Sequence, residues 1–331
     1  MPTRRSLRDR IRGWFLWVKC HNKAVCIATV TVAVVGTVLV LSGCSPVKPV
    51  GQGLRIVSTT TPVTDFTKQI VGKYAHVDGL IQANQSAHEF DPSARALVEL
   101  AQADVLVING LGLEPWLEGA IDASGFDGTI ITASAGINVV EGDPHVWTSP
   151  TNAIAMVKTI TSGLGPLDET VGVFFRKNSR AYVKKLTLLN TWATQDINQV
   201  PTDQRMLVTN HDGLSYFCAQ YGITFVGSII PSFDDNSEPS AADIDKLVAA
   251  IKRTGTKAVF SETTISPKLA QTIAEEAGVK VYSGADSLYA DTLGPAGSPG
   301  DTYINATIHN VRVLVRAWGA TNLPLPKGLE Q

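Results

Sequence analysis

The chain has 331 residues, of which 44% are hydrophobic, and a formal net charge of −2 at pH 7. This length is typical of two domains, and the hydrophobic share excludes a largely disordered chain. The near-neutral charge argues against a nucleic-acid partner. The charge is uneven, however: seven of the 28 basic residues and one of the 30 acidic residues precede position 44, which leaves an acidic remainder that attracts cations.

Residues 1–43 have the pattern of a lipoprotein signal peptide. A basic stretch extends to Lys23, an apolar run without charges covers 24–41, and small residues precede Cys44. We therefore expect cleavage before Cys44 and attachment of diacylglycerol to its sulfur. The alternative is a transmembrane helix, since an apolar run of this length can just span a bilayer. The pair Arg4-Arg5 also leaves twin-arginine export open beside general secretion.

Cysteine usage is consistent with this interpretation. Cys20 and Cys26 leave with the signal peptide, and Cys44 is consumed by the lipid. Only Cys218 remains, so the mature chain has no intrachain disulfide. Because Cys218 lies in an apolar helical stretch, we expect it to be a small core residue.

Strand and helix patterns alternate after a tether over 44–53. Strands are predicted over 54–59, 77–82, 104–109 and 129–133. Helices are predicted between them, over 62–74, 92–103 and 114–124. Such alternation is typical of βαβ units with a parallel sheet, so we predict an α/β lobe over 54–165.

A long helix is predicted to bridge two lobes over 166–200. The chain is first helical over 150–163, and then 168–198 contains no proline and only Gly172 as a glycine. Apolar residues recur there at helical spacing, and Pro201 ends the pattern. The segment is longer than an average helix, which favours a connection between domains.

The alternation then resumes in a second α/β lobe over 201–320, followed by a tail over 321–331. Strands are predicted over 205–209, 224–229, 257–261 and 279–282. Helices are predicted over 213–221, 241–254, 267–277 and 302–318. Two sets of four strand–helix units with a helical link indicate a two-lobed binding protein.

Three histidines lie in turn-like segments next to predicted strands: His88, His145 and His211. Because ligands bind outside the carboxyl ends of parallel strands, we expect these side chains to converge across the cleft. Their separations match neither a zinc finger nor a His-Glu-x-x-His helix, so spacing alone does not establish a metal site. We interpret His76 and His309 as surface or capping residues.

Several motifs resemble one family, in the same order. They are Asn-Gly-Leu-Gly-Leu-Glu-Pro-Trp at 109–116, Asp-Pro-His-Val-Trp at 143–147, His-Asp-Gly-Leu-Ser-Tyr-Phe at 211–217 and Asp-Thr-Leu-Gly at 291–294. Together they resemble the zinc- and manganese-binding lipoproteins of metal ABC importers (solute-binding cluster A-I) over about 54–318. The resemblance implies two lobes, each with a four-stranded parallel sheet flanked by helices, joined by a long rigid helix, with metal at their interface.

The resemblance also implies the metal ligands. Its two invariant histidines fall on His88 and His145, its third ligand, which is His or Glu, falls on His211, and its C-terminal carboxylate falls on Asp291. Asp286 competes for the last role but lacks the motif.

Two further carboxylates are candidates for supporting roles. Glu262 ends a predicted strand and is expected to fix an imidazole tautomer. The equally favoured alternative is that Glu262 is a surface or helix-capping residue. Glu89 is either an alternative ligand or a second supporting carboxylate. The segment 117–142 has no histidine, whereas many zinc-binding members carry a His-rich loop there, so auxiliary zinc scavenging is not expected.

Three imidazoles and one carboxylate favour Zn²⁺, and Mn²⁺ is the alternative because it prefers more oxygen ligands.

The resemblance implies a monomer, anchored to the membrane on the extracytoplasmic side, that passes the ion to an ABC permease. It implies no enzymatic activity. The alternatives are a zinc-dependent hydrolase with an open coordination position, an adhesin or structural lipoprotein, and a siderophore-binding protein.

The signal-peptide interpretation predicts that Cys44→Ala abolishes lipidation and releases the protein from the membrane, because the thioether requires this sulfur. Metabolic labelling with a fatty-acid analogue measures the effect, and Cys218→Ala, which removes the other mature cysteine, serves as the control. Undiminished label in Cys44→Ala would contradict the assignment.

Overall fold

The computed structural model describes residues 53–330. The predicted signal peptide and Cys44 lie outside these residues. Within 53–330, no helix is both long and apolar enough to cross a membrane.

The first lobe is built on one parallel sheet. Its elements are, in chain order, β1 (Arg55–Ser58), α1 (Thr61–Val71), β2 (His76–Gly79), α2 (Ala94–Ala101), β3 (Val105–Ile108), α3 (Leu117–Ser124), β4 (Thr129–Thr132) and α4 (Pro150–Leu164). The strand order is β2-β1-β3-β4, and every pairing is parallel. All four strands therefore end at one edge of the sheet, and the loops that follow them all leave from this edge.

The helices of this lobe begin where the sequence supplies a cap. The Thr60 hydroxyl accepts a hydrogen bond from the amide of Val63, with Pro62 in the first turn. In the same way, the Ser149 hydroxyl accepts from the amide of Asn152, and Pro150 opens α4. These caps satisfy amides that have no partner within the helix and set the direction in which each loop leaves the sheet.

The second lobe repeats the alternation. Its elements are β5 (Met206–Thr209), α6 (Ser215–Tyr221), β6 (Thr224–Ser228), α7 (Ala241–Thr254), β7 (Ala258–Phe260), α8 (Lys268–Ala277), β8 (Lys280–Tyr282) and α9 (Tyr303–Ala317). Short 3-10 helices occur at Gly72–Tyr74, Val146–Thr148, Thr202–Gln204 and Gly284–Asp286.

The four strands of this lobe are parallel, but their backbone hydrogen bonds form two pairs, β5 with β6 and β7 with β8. β5 lies beside β7 without a ladder between them. The two pairs are joined just beyond the strand ends, where the Asn210 side chain accepts a hydrogen bond of 2.7 Å from the amide of Glu262. Because β7 and β8 have only three residues each, this side chain supplies a connection that a longer ladder would make with backbone groups.

The linking helix α5 (Glu169–Ile197) lies against both lobes. It packs on α1 and α4 of the first lobe and on α9 of the second. Its buried face carries large side chains that belong to a core shared by both lobes, including Phe175, Leu186 and Trp192. The predicted linking helix and the α/β architecture are thus confirmed.

The last described residues pack along α5. The carboxylate of Asp196, fully buried on α5, accepts hydrogen bonds from the Asn322 side chain at 3.0 Å and the Leu323 amide at 2.6 Å. Leu329 is buried in the shared core. The segment after α9 therefore supports the linking helix from outside.

Candidate metal centre

Four side chains converge at the strand ends between the lobes. His88 lies in the loop after β2 and His145 in the loop after β4, while His211 directly follows β5 and Asp291 lies in the loop after β8. One nitrogen or oxygen from each lies within 4.8 Å of those from the other three. Each lobe thus contributes two residues to one cluster, because the carboxyl ends of its strands face the cleft.

The distances within this cluster are short. The Nε2 atom of His145 is 3.1 Å from Nε2 of His88 and 3.5 Å from Nε2 of His211. One carboxylate oxygen of Asp291 is 3.3 Å from Nε2 of His145 and 3.2 Å from Nε2 of His211. His145, His211 and Asp291 are buried, and His88 is partly exposed. One small volume therefore lies within reach of all four side chains.

Asp143 fixes the orientation of His145. A carboxylate oxygen of Asp143 accepts hydrogen bonds from the His145 amide at 2.8 Å and from its Nδ1 at 2.7 Å. Since a carboxylate only accepts, the proton of the neutral ring lies on Nδ1, and the lone pair of Nε2 faces the cluster. The other oxygen of Asp143 accepts from Ser215 of the second lobe, so this carboxylate also links the lobes.

Glu262 does the same for His211. Its two carboxylate oxygens accept from the His211 amide at 3.0 Å and from Nδ1 at 2.6 Å. In the neutral ring that can bind a metal, the proton therefore lies on Nδ1 and the Nε2 lone pair faces the cluster. Burial disfavours the charged imidazolium, but Asp291 and Glu262 outweigh it and raise the pKa of His211 well above its usual range.

Asp291 is a buried carboxylate without well-directed donors. Among the described residues neither of its oxygens accepts a hydrogen bond, although it is only 2% exposed. Burial alone raises the pKa of a carboxyl group, but the three imidazoles, His211 foremost, hold the pKa of Asp291 below its ordinary value. The loop is fixed one residue earlier, where the Trp147 indole donates to the carbonyl of Ala290 at 3.0 Å.

His88 differs from the other two histidines. Burial lowers its pKa to about 4, and the neighbouring carboxylate of Asp291 offsets only part of this effect. The His88 ring is therefore uncharged at pH 7 and has a lone pair available for a metal ion. Its loop is held by Trp116, whose indole donates to the carbonyl of Ala87 at 2.9 Å.

The motif at 109–116 supports both loops of the first lobe. The buried carboxylate of Glu114 accepts from the amides of Asn109 and Gly110 at 2.7 and 3.0 Å, which folds the motif into a tight turn after β3. The Asn109 side chain then donates to the carbonyl of Pro144, directly before His145. This motif contributes nothing to the cluster itself, but it positions the loop of His145 and, through Trp116, the loop of His88.

The structure brings His88, His145, His211 and Asp291 together and places Glu262 against His211. It does not bring Glu89, which is exposed, into this cluster.

The remaining candidates lie elsewhere: Asp286 pairs with Arg316 at 2.7 Å, His76 is exposed beside Asp78, and His309 contacts the carbonyl of Ser287. The supporting roles of Asp143 and Glu114 were missed from the sequence. The sequence feature that could have indicated these roles is the position of both carboxylates inside the motifs at 143–147 and 109–116.

The fold and cluster together define a class of protein: a two-lobed α/β solute-binding protein with a histidine–carboxylate site in its cleft. The profile of the family described as ZnuA, zinc-uptake complex component A, periplasmic, matches residues 56–317. The chain belongs to this family.

Individual relatives agree with this assignment. The manganese-binding lipoprotein MntA of Halalkalibacterium halodurans is 28% identical over 88% of this chain and 98% of its own length. The manganese ABC transporter substrate-binding lipoprotein PsaA of Streptococcus mitis is 25% identical over 83% of this chain and 93% of its own. Among solved structures, the periplasmic zinc-binding protein TroA of Treponema pallidum has a TM-score of 0.74 at 26% identity, covering 81% of this chain and 99% of TroA.

The role of Asp143 is testable. We expect Asp143→Asn to weaken metal binding by roughly 10-fold or more, because losing a carboxylate behind a ligating imidazole typically costs about 10–100-fold in affinity. Calorimetric titration of the metal-stripped protein measures the effect. Asp122→Asn, which removes an exposed carboxylate on α3, is the control. Equal affinity for the wild type and Asp143→Asn would show that Asp143 does not orient the ligand.

Proposed function

We propose that this protein captures a divalent transition metal ion, zinc in preference to manganese, and delivers it to the permease of an ABC importer. The ion is the transported substrate and not a resident cofactor. His88, His145, His211 and Asp291 are the proposed ligands, and Asp143 and Glu262 hold two of the imidazoles in place.

The spacing of the four donor atoms carries the proposal. A tetrahedral zinc ion with bonds of about 2.0–2.1 Å requires donors about 3.3–3.4 Å apart. The separations from Nε2 of His145 to the other three donors are 3.1, 3.3 and 3.5 Å, which bracket that value, and all four donors lie within 4.8 Å of one another. The Nε2 atoms of His145 and His211 already face the same volume, so little movement of the side chains is needed for coordination. Because the pKa of His211 is raised, metal binding there displaces a proton from Nε2.

The charge of the site also fits a dication. Asp143, Glu262 and Asp291 are buried carboxylates, and the imidazoles opposite them coordinate a metal in their neutral form. A divalent cation offsets much of this buried negative charge and provides partners for the oxygens of Asp291. A fourth protein ligand also closes the position that a catalytic zinc site leaves open for water, which supports transport over hydrolysis.

The ligand set favours zinc. Three imidazole nitrogens and one carboxylate form a common zinc environment, whereas manganese gains more from oxygen donors. The relatives carry names for both metals, so the third position, His211, is the residue on which the preference is proposed to depend.

The proposed location is the extracytoplasmic face of the cell membrane, with a lipid on Cys44. The signal-peptide pattern supports this location, as do the names of MntA and PsaA, which describe lipoproteins. The name of PsaA also describes an ABC transporter component, which supports an ABC permease as the partner. We propose that the protein acts as a monomer, because one chain supplies all four proposed ligands.

The proposal predicts one tightly bound ion per chain. Replacing His145 or His211 by Ala is expected to weaken zinc binding by more than about 100-fold, since losing a ligand exceeds the cost of losing its supporting carboxylate. Elemental analysis gives the stoichiometry and competition with a chelating dye gives the affinity. His76→Ala, which removes an exposed imidazole, is the control. Full affinity in both ligand variants would overturn the assignment.

The metal preference is tested by His211→Glu. This change replaces a nitrogen donor by a hard oxygen donor and adds a negative charge, so we expect the ratio of zinc to manganese affinity to fall. Titration of wild type and variant with each metal gives the ratio, and circular dichroism verifies the fold. His76→Glu makes the same chemical change on the surface. An unchanged ratio in a folded His211→Glu protein would remove His211 from the proposed ligand set.

A further inference from the structure

A loop of the second lobe extends over the histidine cluster. This segment, residues 231–237, follows β6 and is called the cleft loop below. The ring of Phe233 packs near the ring of His145, with centroids 6.5 Å apart, although His145 belongs to the first lobe. The base of the loop is attached beside another proposed ligand, since the carbonyl of Ser232 accepts a hydrogen bond of 3.0 Å from the amide of Asp212, next to His211. The cleft loop is thus fixed to the second lobe and faces the first.

The cleft loop is held in shape by its own hydrogen bonds. The Ser232 hydroxyl accepts from the amide of Asp234 at 3.0 Å, and the Asp234 side chain accepts from the amide of Asn236, also at 3.0 Å. The hydroxyls of Ser232 and Ser237 are 3.2 Å apart. Because these bonds lie within the loop, they do not depend on the first lobe, and the position of Asp235 follows that of the second lobe.

One hydrogen bond joins the cleft loop to the loop of His88. The Ser86 hydroxyl donates to a carboxylate oxygen of Asp235 at 2.7 Å and accepts from the amide of His88 at 3.1 Å. The Ser86 hydroxyl therefore connects the second lobe to the backbone of His88, one of the proposed ligands. We call the Ser86–Asp235 hydrogen bond the cleft latch.

The cleft latch borders the open side of the site. His88 is the only one of the four proposed ligands that is partly exposed. An open cavity of about 460 Å³ lies on this side, lined by both lobes, with Ser86 and Glu89 on one wall and Asp235 and Asn236 on the other. An ion that leaves past His88 must separate these walls, and the cleft latch opposes that separation.

We infer that Asp235 is a positioning residue that slows release of the bound ion, because it holds the loop of His88 against the second lobe through the cleft latch. This inference rests on the proposed function and adds a residue that controls how long the ion stays bound. Asp235 touches none of the four ligand side chains in the contacts described above. Its effect is therefore expected on dissociation, where the lobes must part, and not on the coordination geometry.

The test is the rate at which zinc leaves the protein. Zinc-loaded full chain is mixed with an excess of chelating dye, and the absorbance is followed with time. We expect Asp235→Ala to release zinc about two- to tenfold faster, the range that corresponds to one net hydrogen bond. Asp235→Asn is expected to restore slow release, because its amide oxygen still accepts from Ser86.

Two controls separate the hydrogen bond from charge and from folding. Glu238→Gln removes an exposed carboxylate just beyond the cleft loop, and we expect wild-type release. Thermal unfolding of the metal-free forms is expected to be equal for Asp235→Ala and wild type. Ser86→Ala combined with Asp235→Ala should release zinc no faster than the faster single variant, since both remove the same bond.

The outcomes distinguish the latch from the proposed function. Wild-type release in Asp235→Ala, equally fast release in Asp235→Asn and Asp235→Ala, or additive effects in the double variant would each overturn the cleft latch while zinc binding stands. Absence of saturable zinc binding in the unaltered protein would overturn the proposed function and the latch with it.

Discussion

The structure depends on one electrostatic constraint, the burial of the Asp291 carboxylate among imidazoles and away from hydrogen-bond donors. Buried charge is costly unless it is paired, and both oxygens of Asp291 lack a well-directed hydrogen bond among the described residues. The nitrogens that approach it belong to His145 and His211, at 3.3 and 3.2 Å. The proposed metal ion, coordinated by all three side chains, would resolve this conflict, which makes the burial of Asp291 an argument for the proposed function.

The surrounding residues serve mainly to keep imidazole lone pairs facing that carboxylate. Asp143 and Glu262 accept from the Nδ1 atoms and leave both Nε2 atoms available. Glu262 acts within the second lobe, whereas Asp143 has partners in both lobes. Asp143 also accepts from Ser215, and the hydroxyl of Tyr216 donates to its carbonyl at 2.9 Å, so the orientation of His145 is tied to the position of the second lobe.

Contact between the lobes and the geometry of the site are therefore coupled. The Tyr303 hydroxyl, at the start of α9, donates to the carbonyl of Trp147 at 2.7 Å, while the Trp147 indole holds the loop of Asp291. A further bond between the lobes joins Thr61 to the same loop, where the Thr61 hydroxyl accepts from the amide of Leu293 at 2.8 Å. A relative movement of the lobes would strain several of these bonds together, so the proposed retention of an ion depends on closure of the cleft.

The amino-acid sequence by itself determined the succession of strands and helices, since apolar periodicity and helix caps such as Asp168 before α5 are local properties. It also identified the three histidines as candidate ligands, because each lies after or between predicted strands. The motifs around them carried the family resemblance, which added Asp291 as the fourth candidate. The sequence proposed Glu262 as a supporting carboxylate, but only the tertiary structure decided that it stands behind His211. The tertiary structure alone also decided how Asn210 joins the two strand pairs of the second lobe, and that Ser86 meets Asp235. These contacts join residues 149 positions apart in the case of Ser86 and Asp235 and 51 or 52 positions apart between β5 and β7. No periodicity or local spacing records such partners, because they are set by how the lobes pack together.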